Sequence, residues 1–214
     1  MAALKTSSNN FDGVAWCYDW LASCIFGNAI KKAQISHLHN IEGQKSVLIL
    51  GGGTGYILET LLEINPGLEI TYLEKSKRMI TKSMDRVHPE RQNKLVFANE
   101  ELEEWKSDQT YDIVICPFFL DVFNEENLTS NIIPKIRNLL KPGGNLLVSD
   151  FQHSEKRFWH QPLMTFMHLF FRITCRLESQ QLSDIRHHLN AAGFNEKTKM
   201  IFFSGMIFSS SYSV

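Results

Sequence analysis

The stretch VLILGGGTGY, residues Val47 to Tyr56, runs from four aliphatic residues directly into a cluster of glycines. The aliphatic run predicts a buried strand, and a helix is expected to begin at about Tyr56. Glycines between two such elements can adopt left-handed dihedrals and let a ligand approach the backbone without meeting a Cβ atom. The stretch therefore predicts a nucleotide-binding loop after the first strand.

The spacing of the glycines bears on which nucleotide this loop binds. The dinucleotide fingerprint has its third glycine at the position that Tyr56 occupies here. A GxGxG loop without that glycine fits a ligand that has no phosphate at this point. An NAD-dependent oxidoreductase stays an alternative, which Tyr56 disfavours.

An acidic residue after the second predicted strand supports binding of a nucleoside. Glu74 lies roughly 20 positions after Gly51, the distance at which a carboxylate meets ribose hydroxyls in this topology. Taken alone, Glu74 could equally be a solvated strand end. Together with the glycine loop it favours ribose binding.

Apolar, β-branched runs alternate with helical patterns along the chain, which is typical of βαβ units in a parallel sheet. Strands are predicted at 46–50, 68–73, 94–98, 112–116 and 145–149, and helices at 57–64, 76–87, 127–140 and 182–194. The tail, 198–214, has two strand-like halves around Ser204 and Gly205 and predicts a hairpin. We expect an α/β fold with a doubly wound sheet, mostly parallel, and a C-terminal antiparallel hairpin strand.

Composition favours a single domain that does not bind nucleic acid. The 214 residues are 43% hydrophobic, with a formal net charge of −1 and no run of lysine and arginine. Cys17, Cys24, Cys116 and Cys175 form no CxxC pair, which predicts free thiols and no zinc site. The polar start MAALKTSSNN lacks the apolar core of a secretory signal, so a cytoplasmic location is expected.

The most apolar region is FWHQPLMTFMHLFFRITC, residues 158–175. It contains Pro162 and falls short of the about 20 apolar residues of a membrane span. Its apolar surface extends well around a helix and needs cover on more than one side. Three kinds of cover fit: the core or a second subunit in a homodimer, a membrane surface touched peripherally, or an apolar ligand beneath a lid.

Four motifs occur in order along the chain: VLILGGGTG, LEKSKRMI, YDIVICPFFLDVF and LLKPGGNLLVSDF. With them the chain resembles the class I S-adenosylmethionine-dependent methyltransferases from about Val47 to Phe151. The opening FDGVAWCYDWL looks like the N-terminal helix of the quinone-biosynthesis group, in which a Tyr-Asp pair lies near the cofactor. The resemblance implies a Rossmann-like, seven-stranded sheet in one domain, 1–214. Its expected parts are a helical cap (1–45), a cofactor-binding core (46–151), an apolar lid (152–178), and a C-terminal helix and hairpin (179–214).

The same resemblance implies which residues bind S-adenosylmethionine (SAM). Gly51, Gly53 and Gly55 would wrap its methionine part, and Glu74 would bind its ribose. Further cofactor-binding residues are expected around them: Gly52 and Thr54 in the loop, Lys75, Ser76 and Met79 beside the adenosine, Asn99 at the adenine amine with Glu100 next to it, Cys116 near the transferred methyl, and Tyr18.

One position departs from the family pattern. Many members have an acidic residue two positions before the first glycine, where this chain has Ile49. A non-catalytic relative that binds SAM is therefore an alternative. An aminopropyltransferase-like enzyme is disfavoured, because Thr54 and the CPFF segment replace the acidic residues of that group.

Methyl transfer from a sulfonium is an in-line displacement, and a base helps only where the acceptor arrives protonated. The candidate catalytic residues are Asp150 and His153, expected just past the fifth strand, and Asp121; His160 and Tyr18 are further candidates for a base. CPFF lacks the Asn/Asp-Pro-Pro wall of amine methyltransferases, so an O, C or S nucleophile is favoured. The predicted reaction is methyl transfer from SAM to a small, apolar or aromatic acceptor.

Overall fold

The computed structural model describes residues 26–41, 43–152 and 183–214. In these ranges the chain forms a seven-stranded sheet in the order β3-β2-β1-β4-β5-β7-β6. The strands are β1 (Ser46–Leu50), β2 (Glu69–Leu73), β3 (Leu95–Ala98), β4 (Tyr111–Pro117), β5 (Leu140–Phe151), β6 (Asn195–Phe202) and β7 (Ile207–Ser213). β1 to β5 pair in parallel, and β7 is antiparallel to both β5 and β6. The predicted α/β sheet with a C-terminal antiparallel hairpin strand is confirmed.

Helices connect the strands as the sequence pattern predicts. They are α1 (Ala29–Ile35), α2 (Tyr56–Ile64), α3 (Lys77–Arg86), α4 (Glu125–Asn127), α5 (Ile133–Leu139) and α6 (Ile185–Ala191). Short 3-10 turns occupy Leu38–Ile41, Pro89–Lys94, Leu120–Val122 and Phe203–Gly205. A π turn, Leu128–Ile132, joins α4 to α5 just before Pro134, whose nitrogen has no hydrogen to donate to the helix.

The sheet is covered on both faces, because side chains along a strand alternate between them. In β1, Leu48 and Leu50 belong to one apolar cluster, which α5 and α6 complete. Val47 and Ile49 belong to the other cluster, which α2 completes. Each residue of β1 is buried, so the glycine loop begins from a strand fixed on both sides.

β5 is longer than the predicted strand at both ends. It pairs Leu140 with Tyr111, shifts register, and resumes with Asn145 opposite Ile113; within the KPGG segment between them, Gly143 has a left-handed φ of 75°. At its other end β5 continues through Asp150, which lies opposite Phe208 of β7. Asp150, which was expected just past the fifth strand, therefore lies inside it.

α1 packs against β5 and β7 through buried polar contacts. Ser149 Oγ donates to Ala33 O at 2.9 Å, and His37 Nε2 lies 3.0 Å from Ser209 O. A ring nitrogen that faces a carbonyl oxygen must carry the proton, and burial lowers the pKa of His37. This packing brings Phe26, just before α1, onto the ring of Phe151 at the carboxyl end of β5.

Candidate functional site

The glycine loop is a tight turn between β1 and α2. Gly51, Gly53 and Gly55 have φ of 64°, 61° and 76°, the left-handed region that favours glycine. Gly51 N donates to Leu73 O at 2.9 Å, which fastens the start of the loop to β2. A Cβ atom at Gly55 would overlap the side chain of Ser83 and lie 2.9 Å from its Cα, so α3 packs directly against the loop.

Tyr72 supports the loop from below, a role that the sequence reading missed. Its hydroxyl donates to Gly53 O at 2.8 Å, and a Cβ atom at Gly52 would overlap its ring. The side chain is fully buried. The available signal was the two-residue period of β2, which places Tyr72 on the same face as Glu74.

Glu74 joins the loop to the start of α3. Its Oε2 accepts from Gly53 N at 3.1 Å, and its Oε1 accepts from Ser76 N at 2.9 Å. A carboxylate has about four lone-pair sites, so Glu74 could accept further hydrogen bonds, such as those from the vicinal diol of a ribose. Burial raises the pKa of Glu74, although these two N–H groups act in the opposite direction.

The predicted adenosine side lies next to Glu74. Ser76 caps α3 by accepting from Met79 N at 3.2 Å, and a Cβ atom at Gly53 would lie 3.9 Å from the Met79 sulfur. Asn99 Nδ2 donates to the carbonyl oxygens of Glu74 and Lys75, at 3.0 and 2.8 Å. The amide nitrogen of Asn99 thus binds backbone carbonyl groups of the protein, and its amide oxygen can act as a hydrogen-bond acceptor.

The remaining predicted cofactor residues on this side lie around the rim. Lys75 forms an exposed ion pair with Glu101 at 3.4 Å, and Glu100 is exposed. Thr54 contributes its carbonyl oxygen, which accepts from Arg86 Nε at 2.7 Å. These contacts fix the rim of the site.

The segment after β4 bends sharply at the next strand end. Cys116 is fully buried in the apolar cluster beneath α5, and burial raises the pKa of its thiol. Phe118 has φ of 56°, which is unusual for a bulky residue, and its nitrogen donates to Ser149 O at 2.7 Å. Phe119 then packs so close to Gly51 that a Cβ atom there would overlap its ring.

Two of the predicted catalytic residues are brought together by this bend. Asp150 Oδ2 accepts from Leu120 N at 3.0 Å and Asp121 N at 3.3 Å, and its Oδ1 accepts from Phe151 N at 2.9 Å. Burial, then the Asp121 charge, raises the pKa of Asp150 well above its usual range. Burial raises the pKa of Asp121 to about 6, against a hydrogen bond with Asp150 that lowers it. The negative charge of one carboxyl group disfavours ionisation of the other, which adds to the rise in the pKa of Asp150.

Aromatic rings line the same end of the sheet. Phe151 packs on Phe118 and Phe26, with ring centroids 5.0 and 5.2 Å apart, and Phe26 packs on Phe203 at 4.8 Å. Phe203 and Ser204 lie in the β6–β7 turn with φ of 45° and 55°. Phe118, Phe203 and Ser204 are the non-glycine residues with left-handed φ among those described; Phe118 and Phe203 pack against this cluster, and Ser204 follows Phe203 in the chain.

Several predictions fall on residues that the structure does not describe. Tyr18, His153, His160 and the apolar segment 158–175 lie outside the described ranges. Among the residues that the structure describes, no group of His, Cys, Asp and Glu side chains could hold a metal ion. No helix within them is long and apolar enough to cross a membrane. Homodimer formation, peripheral membrane contact and a cytoplasmic location stay predictions.

Comparisons with known proteins agree with this geometry. A family model described as a methyltransferase domain matches residues 48–146. The malonyl-acyl-carrier-protein O-methyltransferase of Acetivibrio thermocellus is 33% identical over 125 residues, which are 58% of this chain and 38% of that protein. The chain thus spans about two fifths of the length of that relative.

Solved structures share the fold at low sequence identity. Mitomycin 7-O-methyltransferase MmcR superposes with a TM-score of 0.72 at 15% identity, over 97% of this chain and 61% of that one. The 1,6-didemethyltoxoflavin-N1-methyltransferase of Burkholderia thailandensis, solved with S-adenosylhomocysteine (SAH), has a TM-score of 0.66 at 15% identity, over 99% and 92% of the two chains.

A seven-stranded sheet with one antiparallel strand, a GxGxG loop and an acidic residue after β2 define a nucleoside-binding α/β domain. With the matched family model and the curated relatives, the chain resembles the class I S-adenosylmethionine-dependent methyltransferases, and this similarity supports SAM as its cofactor.

Proposed function

We propose that this chain transfers the methyl group of SAM to an oxygen atom of a small acceptor with an apolar or aromatic body. The observation that carries the proposal is the Glu74 carboxylate, whose oxygens accept from Gly53 N and Ser76 N and thereby hold it between the glycine loop and the start of α3. Support for an oxygen acceptor comes from the CPFF segment, which lacks the polar wall of amine methyltransferases, and from the O-methyltransferase similarity.

SAM would supply a methyl group bound to a positively charged sulfur. The acceptor oxygen would form a bond to the methyl carbon while the bond between that carbon and sulfur breaks, and the electron pair of the broken bond would stay on sulfur. Glu74 would bind the ribose, and the loop from Gly51 to Gly55 would hold the methionine part. Because these groups lie over β1 and β2, the acceptor would lie over β4 and β5, beside Phe118 and Phe151.

Asp121 would accept the proton that a hydroxyl acceptor loses. It is partly buried, and a pKa raised to about 6 leaves it mostly ionised at neutral pH yet still basic enough to take a proton. Asp150 would act as a positioning residue, because its carboxylate holds the backbone N–H groups of Leu120 and Asp121.

The first test is calorimetric titration of SAM and SAH into the purified chain and into Glu74→Gln. Loss of hydrogen bonds to a charged group predicts about ten- to hundredfold weaker binding of both ligands in the variant. Glu69→Gln is the matched control, since it removes the same charge from the exposed opposite end of β2. An unchanged affinity in Glu74→Gln, or no binding to the wild type, would refute the proposed site.

A second candidate acceptor is the carboxylate of a malonyl thioester, which the similarity to malonyl-acyl-carrier-protein O-methyltransferases favours. A carboxylate is already ionised and needs no base, whereas a phenol does. SAH release should therefore be measured with malonyl thioesters and with phenols. Asp121→Asn is expected to slow methylation of a phenol about a hundredfold and to leave that of a malonyl thioester unchanged. Binding of SAM with no turnover on any acceptor would support a non-catalytic relative.

A further inference from the structure

Phe119 lies where the sheet changes direction. β1 has β2 on one side and β4 on the other, so the carboxyl ends of β1 and β4 form the crevice at which doubly wound sheets bind ligands. Phe119 follows β4 by two residues, and its partly exposed ring lies against Gly51, the first residue after β1. An aromatic ring therefore lines this crevice.

The ring is held in place by its neighbours. Phe123 packs on it edge to face, with ring centroids 5.1 Å apart at 78°. The backbone on its C-terminal side is fixed by the Leu120 N–H, which donates to Asp150, and on its N-terminal side by the Phe118 N–H, which donates to Ser149 O. Such a ring is pre-organised, and a ligand that contacts it does not have to order it first.

The position of the cofactor sulfur follows from where the ribose and the acceptor would bind. Glu74 would bind the ribose beyond β2, and the acceptor would lie beyond β4 and β5. The sulfur, which connects the ribose carbon to the transferred methyl, then lies between them, over β1 and β4. This is the place that the Phe119 ring borders.

Resting on the proposed function, we propose that the Phe119 ring contacts this sulfur and distinguishes the charged sulfonium of SAM from the neutral thioether of SAH. The face of an aromatic ring attracts a cation and has no comparable attraction for a neutral thioether. Methyl transfer removes the positive charge from sulfur, so the same ring holds the substrate cofactor more strongly than the product. Phe119 thereby favours exchange of SAH for SAM after each turnover.

The test is the ratio of the dissociation constants of SAH and SAM, measured by calorimetry for the wild type and for Phe119→Leu. Leucine keeps an apolar contact and removes the ring. The affinity for SAM should fall by about two- to thirtyfold, while that for SAH changes by less than about twofold. Phe119→Tyr, which keeps a ring, should retain the wild-type ratio.

Phe97→Leu is the matched control, because Phe97 packs on Tyr72 beneath the ribose side of the loop, with ring centroids 5.3 Å apart. Any loosening of the loop in this variant should weaken SAM and SAH in equal proportion. Equal losses for both ligands in Phe119→Leu, or a changed ratio in Phe119→Tyr, would overturn the inference while the proposed site stands. Failure of the wild type to bind either ligand would instead overturn the proposed function.

Discussion

The carboxyl end of the sheet is built in two different ways. The β1–β3 edge uses backbone groups, one carboxylate and two short polar side chains, all between residues 51 and 99: Gly51–Gly55, Glu74, Ser76 and Asn99. The β4–β7 edge uses aromatic rings and two carboxyl groups from distant segments: Phe26, Phe118, Asp121, Asp150, Phe151 and Phe203. The β1–β3 edge suits the cofactor, which is the same whatever the acceptor. At the β4–β7 edge, the aromatic residues can be substituted without a change in the strands of the sheet.

The largest effect is expected at the β4–β7 edge, from Asp150→Ala. The substitution leaves three N–H groups without their acceptor, those of Leu120 and Phe151, which are buried, and that of Asp121, which is partly buried. The free energy of unfolding should fall by about 3 kcal/mol in urea denaturation. Asp85→Ala on the exposed side of α3 should stay within about 0.5 kcal/mol. Equal values for the two variants would show that this edge does not depend on its buried carboxylate.

The β1–β3 edge depends on glycine for a different reason, which Gly55→Ala tests. Gly55 and Gly143 have nearly the same φ, 76° and 75°, but a Cβ atom at Gly143 would meet no atom of the described residues within 4 Å. Gly143→Ala should cost about 1 kcal/mol from backbone strain alone. Gly55→Ala adds the overlap with Ser83 and should cost about 2–3 kcal/mol. Chemical denaturation that gives the same cost at both positions would mean that α3 moves aside freely.

A smaller effect is expected from Tyr72→Phe, which removes the hydroxyl that donates to Gly53 O. Unfolding free energy should fall by about 1 kcal/mol and binding of SAM should weaken about three- to tenfold, because the loop loses its support. Tyr111→Phe removes a similar buried hydrogen bond, to Thr71 Oγ1 at 3.1 Å, away from the loop. The stability of Tyr111→Phe should fall by the same amount as that of Tyr72→Phe, while its affinity for SAM should stay unchanged. An equal loss of SAM affinity in both variants would show that Tyr72 has no specific role in the loop.

The β1–β3 edge could be predicted from sequence because its parts follow strand ends at regular intervals. Gly51 and Glu74 come directly after apolar runs, and parallel strands bring their carboxyl ends to one edge. Tyr72 escaped notice because a tyrosine inside an apolar strand is typical of a core residue. The hydrogen bond from its hydroxyl depends on the path of the loop, which periodicity does not give.

The β4–β7 edge could be predicted only in part. Asp121 and Asp150 stood out as carboxyl groups near strand ends, but the depth of Asp150 depends on where β5 stops. That end is set by pairing with β7, opposite Phe208, a contact between residues far apart in sequence. The contact between Phe26 and Phe203 likewise depends on how α1 packs on the sheet. No local pattern encodes such distances.

The smallest effect separates the two carboxyl environments by the sign of their pH dependence. Burial raises the pKa of Asp121 to about 6, so the folded state binds more protons than the unfolded state, and stability falls as pH rises from about 4 to 6.

Asp112 is the opposite case: Lys141 and Ser46 lower its pKa to about 2, and its contribution to stability is lost as pH falls from about 4 to 2. Asp121→Asn should therefore flatten the unfolding free energy by about 1 kcal/mol between pH 4 and 6, and Asp112→Asn by a similar amount below pH 4. Denaturation curves at several pH values measure both. If Asp121→Asn leaves the unfolding free energy between pH 4 and 6 unchanged, Asp121 is not the carboxyl group that titrates in that range.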